Sequence, residues 1–244
     1  MRVAVVLTAR PSYAKLKTVI VALLARHVDV QMICCASALL ERYGRVVDVV
    51  RADFPQLEIT EAWSTYEGAN LITSAKETGA LLTELGAVLS RLRPDVSVVC
   101  ADRHEVLAAA QAAAYLHLPL LHIQGGERSG SIDDRIRDAI TQLSDWHCVS
   151  TEKATYRVYA LTGAWSRIVN TGCPSIDLAK QALESEPVTF EELGGSGPWL
   201  DLAFPFLVVV QHPVTDEVDQ AGVQMRTTLE AVGEVSLPRV VFWP

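Results

Sequence analysis

The chain is predicted to be an α/β protein built on a parallel sheet, and three observations carry the prediction. Short β-branched apolar runs alternate with longer segments whose apolar residues recur every three or four positions. Two of the strand-like runs, 96–101 and 206–210, read as buried strands, as strands covered on both faces do. Residues 121–141 run from an apolar strand through Gly125 and Gly126 and a cluster of ionisable groups into a helix, the way such a sheet builds a polar rim at its carboxyl edge.

Residues 2–8 (RVAVVLT) form a β-branched run closed by Arg-Pro, and residues 15–26 carry Leu16, Val19, Ile20 and Leu23 at helical spacing. Residues 30–36 read as the next strand, 71–92 as a long helix and 96–101 as a buried strand. An Ala-rich helix over 105–116 is followed by strand 118–123, helix 132–143, strand 147–150, helix 152–162 and strand 168–171. Such alternation implies βαβ units with right-handed crossovers. After Leu183 the composition changes. Glu-Ser-Glu-Pro and Gly-Gly-Ser-Gly-Pro make 184–204 a linker between a first domain, 1–183, and a second unit, 205–244. The second unit has strand 206–210, helix 220–232 and strand 239–243. Two strands and a helix cannot bury both faces of a sheet, so 205–244 is expected to be only the start of a domain.

With 244 residues, 50% hydrophobic and 20% charged, the chain can bury a large core in one or two domains. No apolar run reaches the roughly 18 residues a membrane span requires, and Met1 leads directly into a core-like strand, so a cytoplasmic protein is expected. The cysteines at 34, 35, 100, 148 and 173 form no CxxC pair and sit in or beside apolar runs, as free buried thiols do. A formal charge of −8 disfavours nucleic acid and anionic membrane as partners, leaving an anionic small ligand in a locally basic cleft.

Thr8 to Lys15 occupies the first strand-to-helix junction, where Arg10 and Lys15 either grip a diphosphate at the helix N-terminus or are ordinary surface charges. Neither GxGxxG nor a P-loop pattern is present. Asp102 follows a strand without polar residues after Ser97, and serves either as a base or as a cap for the next helix. Ser131 and Asp134 match a capping box, which leaves Asp133 as either a dipole partner or a catalytic group. His122 is either a core histidine or a functional one at a strand end. His212 ends the apolar run before Pro213 and would project from the second unit. His27, His117 and His147 adjoin turns, and no histidine spacing suggests a metal.

Five runs, TARPSYAKL (8–16), ADRHE (101–105), HIQGGERSGSIDDRIRDAIT (122–141), TGCPSIDLA (171–179) and VVVQHPVT (208–215), resemble in this order the UDP-N-acetylglucosamine 2-epimerases. Within them the GGE, SG and IDD run and the Asp102–Arg103 pair look like the hydrolysing branch, which makes N-acetylmannosamine for sialic-acid-type sugars. The resemblance implies a GT-B-like fold, with a Rossmann-like N-terminal domain and the start of a second Rossmann-like domain that holds UDP. The family's Ser- and Gly-rich diphosphate loop and its acidic ribose ligand would follow Pro244. It further implies a UDP-2-acetamido sugar as ligand, a homo-oligomer, and no metal or other cofactor. Several positions depart from the family's pattern: Gln124 where some members have Glu, Ser12 in place of a frequent Asp, Ala14, and Asp138 in place of a common His. They point to a somewhat different sugar, such as a 2,4-diacetamido-2,4,6-trideoxyhexose.

The family chemistry removes the proton at C2 while the bond from C1 to UDP breaks, and water then adds to the glycal with C2 inverted. By position, Asp102, Asp133 and Glu127 are the catalytic carboxylates. Arg10, Lys15, Arg103 and His212 bind the substrate's charged part, while His122 and Gln124 orient the sugar. Two other readings stand beside this one: a GT-B glycosyltransferase, which would need an acceptor, and a non-catalytic fragment that binds sugar nucleotide.

Overall fold

The computed structural model describes residues 1–64, 66 and 70–242, and the chain divides into two compact units, Met1–Gln181 and Ala182–Pro244. In the first unit seven strands, β1 (Arg2–Leu7), β2 (Asp29–Cys35), β3 (Ile59–Ala62), β4 (Val96–Cys100), β5 (Leu120–Ile123), β6 (Trp146–Val149) and β7 (Ile168–Asn170), form one sheet in the order β3-β2-β1-β4-β5-β6-β7. Every neighbouring pair is parallel. Seven helices follow the strands or lead into them: α1 (Arg10–Ala25), α2 (Val46–Asp53), α3 (Leu71–Leu92), α4 (His104–Tyr115), α5 (Asp133–Leu143), α6 (Glu152–Thr162) and α7 (Pro174–Glu184). The strand order reverses between β1 and β4. At such a switch the loops leaving the two strands run to opposite sides and open a crevice at their carboxyl ends.

Alternation along β1 shows how the sheet is covered. Val3, Val5 and Leu7 join Leu16 and Ile20 of α1 and Val47 and Val50 of α2 in one buried layer. Ala4 and Val6 join Leu81, Leu85 and Leu89 of α3 and Ala109 and Ala113 of α4 in the other. Five buried alanines, at 108, 109, 110, 112 and 113, let α4 lie close to its neighbours at no cost in helix propensity. Asn70 starts α3 with a reciprocal capping box to Thr73. Thr151 caps α6, which ends at Gly163 with φ 68°.

Some boundaries differ from the sequence reading. Helix α1 begins at Arg10, five residues before position 15, because Pro11 in its first turn already holds a helical φ. Helix α2, strand β3 and helix α7 were not foreseen. α2 spans eight residues and β3 only four, with Thr60 and Glu61 in its middle, too short for a periodic signal. α7 starts at Pro174, within the TGCPSIDLA run. All five cysteines are free, with Cys34, Cys35 and Cys100 buried and Cys148 and Cys173 half-buried.

In the second unit β8 (Leu207–Val210) and β9 (Arg239–Phe242) pair in parallel, joined through α8 (Ala221–Gly233). Val209 is buried, while Val208, Val210, Val241 and Phe242 stay 43–57% exposed. Trp243, expected as the last residue of that strand, lies outside the described residues. Among the described residues no helix is long and apolar enough to cross a membrane.

Candidate functional site

Three strands of the sheet end in residues with left-handed backbone, Ala36 after β2 (φ 51°), Ala101 after β4 (φ 72°) and Gln124 after β5 (φ 67°). A side chain in that region costs about 1–2 kcal/mol, so the surrounding contacts must hold it there. His122 supplies one such contact. Its Nε2 lies 2.8 Å from the Ala101 carbonyl, which can only accept, so Nε2 carries the proton and Nδ1 accepts from Thr141 Oγ1 at 3.2 Å. Burial pushes its pKa down to about 4, and the ring is neutral at pH 7. The expected contact of His122 with a sugar is therefore corrected. The ring is fully enclosed, with both nitrogens engaged, and it supports the turn that presents Asp102.

Asp102 does not cap α4, whose N-cap is Arg103 and has no side-chain cap. Its carboxylate meets Arg137 of α5 in an ion pair. Arg137, 5% exposed, also donates through Nη1 to the Glu127 carbonyl at 2.6 Å and to Asp134 Oδ1 at 2.9 Å. Burial lowers its pKa, but a guanidinium keeps its charge. One arginine thus ties together the end of β4, the loop after β5 and the start of α5.

The capping box expected of Ser131 and Asp134 is not formed, since Ile132 is the N-cap of α5 and makes no side-chain cap. Instead Asp134 accepts from the Ser129 and Gly130 amides at 2.7 and 2.9 Å and from Ser129 Oγ at 3.0 Å. Desolvation raises its pKa, yet these hydrogen bonds and Arg128 outweigh it and hold the carboxyl below the usual range. Asp134 folds the loop back on the helix. Asp133 faces Ser131, whose hydroxyl donates to Oδ2 at 3.2 Å, and it lies close enough to Arg103 to favour the charged guanidinium.

Glu127 is half-buried, and its Oε1 is enclosed without a hydrogen-bond partner among the described residues. A buried carboxylate oxygen left alone is costly and suits a site that a donor fills on binding. Gly126 before it has φ 79°, and a Cβ there would stand 2.5 Å from the Ala154 carbonyl, so only glycine lets the loop lie on α6. Gln124, 8% exposed, donates through Nε2 to Cys173 Sγ at 3.0 Å. Its amide is oriented, as expected of a group that cannot exchange protons.

The cations are distributed more widely. Burial pushes the Cys100 thiol up to about 12, and the ammonium of Lys15 is near enough to pull it back, which puts Lys15 beside the end of β4. Arg10 is exposed in the first turn of α1, with Nη1 3.6 Å from the Cβ position of Gly44. Arg103 lies in the loop from β4 and grips Glu105, with Nε 3.0 Å from Oε2 and Nη2 2.9 Å from Oε1. His212 is exposed beyond the end of β8 in the second unit. Contacts therefore join Asp102 to the Glu127 loop and Asp134, and Arg103 to Glu105, while His212 is described only within its own unit.

Arg137, Asp134 and Glu105 were missed as site residues. The signal was available for the first two, since they are one turn apart on the same face of an amphipathic helix whose start carries two acids. Nothing in the sequence marks Glu105 as buried. Glu77, His104 and Glu105 form the one group of potential metal ligands among the described residues, with donor atoms within 4.8 Å of one another.

Residues 22–244 match the family described as UDP-N-acetylglucosamine 2-epimerase. The chain is 32% identical over 203 residues to a UDP-N,N'-diacetylbacillosamine 2-epimerase (hydrolyzing) of Legionella pneumophila, covering 83% of this chain and 52% of that protein. It is 30% identical over 244 residues to a UDP-N-acetylglucosamine 2-epimerase of Neisseria meningitidis serogroup B, covering 96% of this chain and 60% of that protein. The chain thus spans a little over half the length of these relatives. Among solved structures, the UDP-GlcNAc 2-epimerase of Neisseria meningitidis bound to UDP-GlcNAc superposes with a TM-score of 0.78 at 19% identity, over 99% of this chain and 66% of that one. A Listeria monocytogenes structure gives 0.71 at 20% identity, over 96% and 58%. These likenesses show the GT-B-like α/β fold. With the fold, the family match and the motifs at the strand ends in agreement, the chain belongs to the UDP-N-acetylglucosamine 2-epimerase family.

Proposed function

We propose that the chain is part of a hydrolysing 2-epimerase for a UDP-2-acetamido sugar, active as a homo-oligomer, which releases UDP and a free sugar inverted at C2. The observation that carries this reading is the cluster at the carboxyl ends of β4 and β5, where Arg137 ties Asp102 to Asp134 and to the Glu127 loop, and Glu127 Oε1 is buried without a partner among the described residues. Preference for the hydrolysing branch is supported by the Legionella relative and by the Asp102–Arg103 pair.

A C2 proton on a sugar is very weakly acidic, so the base must be ionised and aimed. Arg137 aims Asp102: the ion pair and the arginine's own contacts to the Glu127 carbonyl and Asp134 fix the carboxylate in place. Asp102 takes the C2 proton. The C1–O bond breaks with its electron pair leaving on UDP, and a C1–C2 double bond forms. Lys15, Arg10 and Arg103 offset the charge developing on the diphosphate. Water then adds across the double bond. Its hydroxyl goes to C1 under activation by Glu127 or Asp133, and a proton reaches C2 from the opposite face. Gln124 orients the sugar.

The test is incubation with UDP-GlcNAc, and separately with the UDP-2,4-diacetamido sugar, in D₂O without an acceptor. Expected are free UDP and a free sugar bearing deuterium at C2. Recovery of an epimerised but intact UDP-sugar would point to the non-hydrolysing reaction, and turnover only with an added acceptor would sink the epimerase reading.

A further inference from the structure

Behind Arg103 lies a line of charged groups that the proposed chemistry does not use. Glu77 comes from α3, outside every motif of the sequence. His104 stands between the two acids, with Nε2 3.3 Å from Glu77 Oε2 and Nδ1 3.4 Å from Glu105 Oε2. Glu105, only 1% exposed, receives Arg103 Nε at 3.2 and 3.0 Å on its two oxygens and Nη2 at 2.9 Å. The Arg103 side chain is 46% exposed, so its guanidinium is held on one side by Glu105 through Nε and Nη2 while the rest of it faces solvent. The donor atoms of Glu77, His104 and Glu105 could span a divalent cation. However, the Glu105 carboxylate is already engaged by the guanidinium, and a dication beside that fixed positive charge would be repelled.

We propose that Glu77, His104 and Glu105 are positioning residues that hold the Arg103 guanidinium in place for the substrate's diphosphate. The inference rests on the sugar-nucleotide reading of the site. An arginine fixed in advance gives up little rotamer freedom when the anion arrives, whereas one tethered only by its stem must be ordered by the ligand. Glu77 acts at the far end, because its carboxylate is the hydrogen-bond partner of His104 Nε2, and replacing it changes how firmly the ring is set against Glu105, whose Oε2 lies 3.4 Å from Nδ1.

The test uses the full 244-residue chain and its variants Glu77→Gln, His104→Gln, Arg103→Ala and Glu77→Gln/Arg103→Ala. Two readouts apply: the Nε–H cross-peak of Arg103 by NMR, and the affinity for UDP-GlcNAc. Glu77→Gln and His104→Gln are each expected to broaden or shift the cross-peak and to weaken binding about threefold to tenfold, the range expected for one side chain that must be ordered on binding. In the Arg103→Ala background Glu77→Gln should add nothing. Equal weakening in that background, or an unmoved cross-peak, would overturn the proposal and leave Glu77 a structural residue. Tight binding of Mn²⁺ or Zn²⁺ abolished by Glu77→Gln would overturn it in favour of a cation site. If the cross-peak moves but Arg103→Ala leaves UDP-GlcNAc binding intact, the proposal is overturned because Arg103 does not serve the diphosphate, whereas failure of the unsubstituted chain to bind UDP-GlcNAc would overturn the sugar-nucleotide reading instead.

Discussion

Leu85 and Val241 both belong to apolar stretches, yet Leu85 is fully buried in the first unit and Val241 is 43% exposed in the second. The difference lies in how many layers cover the strands. In the first unit α1 and α2 close one face of the sheet and α3 and α4 the other, so β1 is enclosed on both sides. Among the described residues of the second unit α8 is the one α-helix beside β8 and β9, and Val208, Val210 and Phe242 remain exposed with Val241. Parallel strands draw their stability from cover on both faces. The consequence reaches the chemistry. Asp102, Gln124 and Arg137 hang from a sheet and helix that are locked by packing, which is what a site needs to hold a strained turn such as Ala101. His212 hangs from a strand with no such support.

Paired core truncations test this contrast most severely. Leu85→Ala is expected to cost about 2–5 kcal/mol in chemical denaturation, as buried leucines do, while Val241→Ala should cost less than about 0.5 kcal/mol. Comparable losses at the two sites would mean that the second unit is packed as tightly as the first. Next in size is Asp102→Asn, which should leave the midpoint of unfolding within a few degrees and lower UDP release by at least about a hundredfold, the scale of a lost positioned base. Near-normal turnover would demote Asp102 to an ion-pair partner of Arg137.

A smaller effect follows from the buried histidines of the first unit. Burial depresses the pKa of His122 and of His147 from 6.5 to about 4, so each stays neutral in the fold while the unfolded chain takes up a proton. Their contribution is complete above pH 6.5 and is lost as the pH falls from 6.5 toward 4. For His122 the loss at pH 5 is on the order of 2 kcal/mol. His122→Gln should flatten the acid limb of the stability curve of the first unit. A curve unchanged by that substitution would show that the ring is not the titrating group.

Much of this scaffold was legible in the chain because buried parallel strands and amphipathic helices carry strong period signals, and α3 and α6 have the very bounds their spacing suggests. Where the signal was short it failed: β3 is a four-residue edge strand containing Glu61. The site was legible as residue types but not as partnerships. Asp102 reads as a cap because most acids before a helix are caps, and its partner Arg137 is 35 positions away. His122 at a strand end reads as reaching a ligand, whereas the left-handed Ala101 that claims its Nε2 belongs to another strand. Long-range pairing and backbone strain leave no local pattern in sequence.

The finest test concerns Gln124, whose support spans three elements of the first unit. Its backbone amide donates to the Cys148 carbonyl after leaving β5, and its side chain donates to Cys173 ahead of α7. An amide held this way offers its carbonyl as an acceptor and cannot carry a proton through the reaction. Gln124→Ala should therefore weaken sugar binding by roughly tenfold, as the loss of one hydrogen-bond partner in a buried site does. Gln124→Glu keeps the acceptor, so it should bind with little change and move the pH profile of turnover instead, because a titratable carboxyl now stands where the amide stood. Steady-state kinetics from pH 5 to 9 on both variants separates the cases. Complete loss of activity in Gln124→Glu with sugar binding intact would mean that the amide N–H toward Cys173, and not the carbonyl, is what the reaction requires.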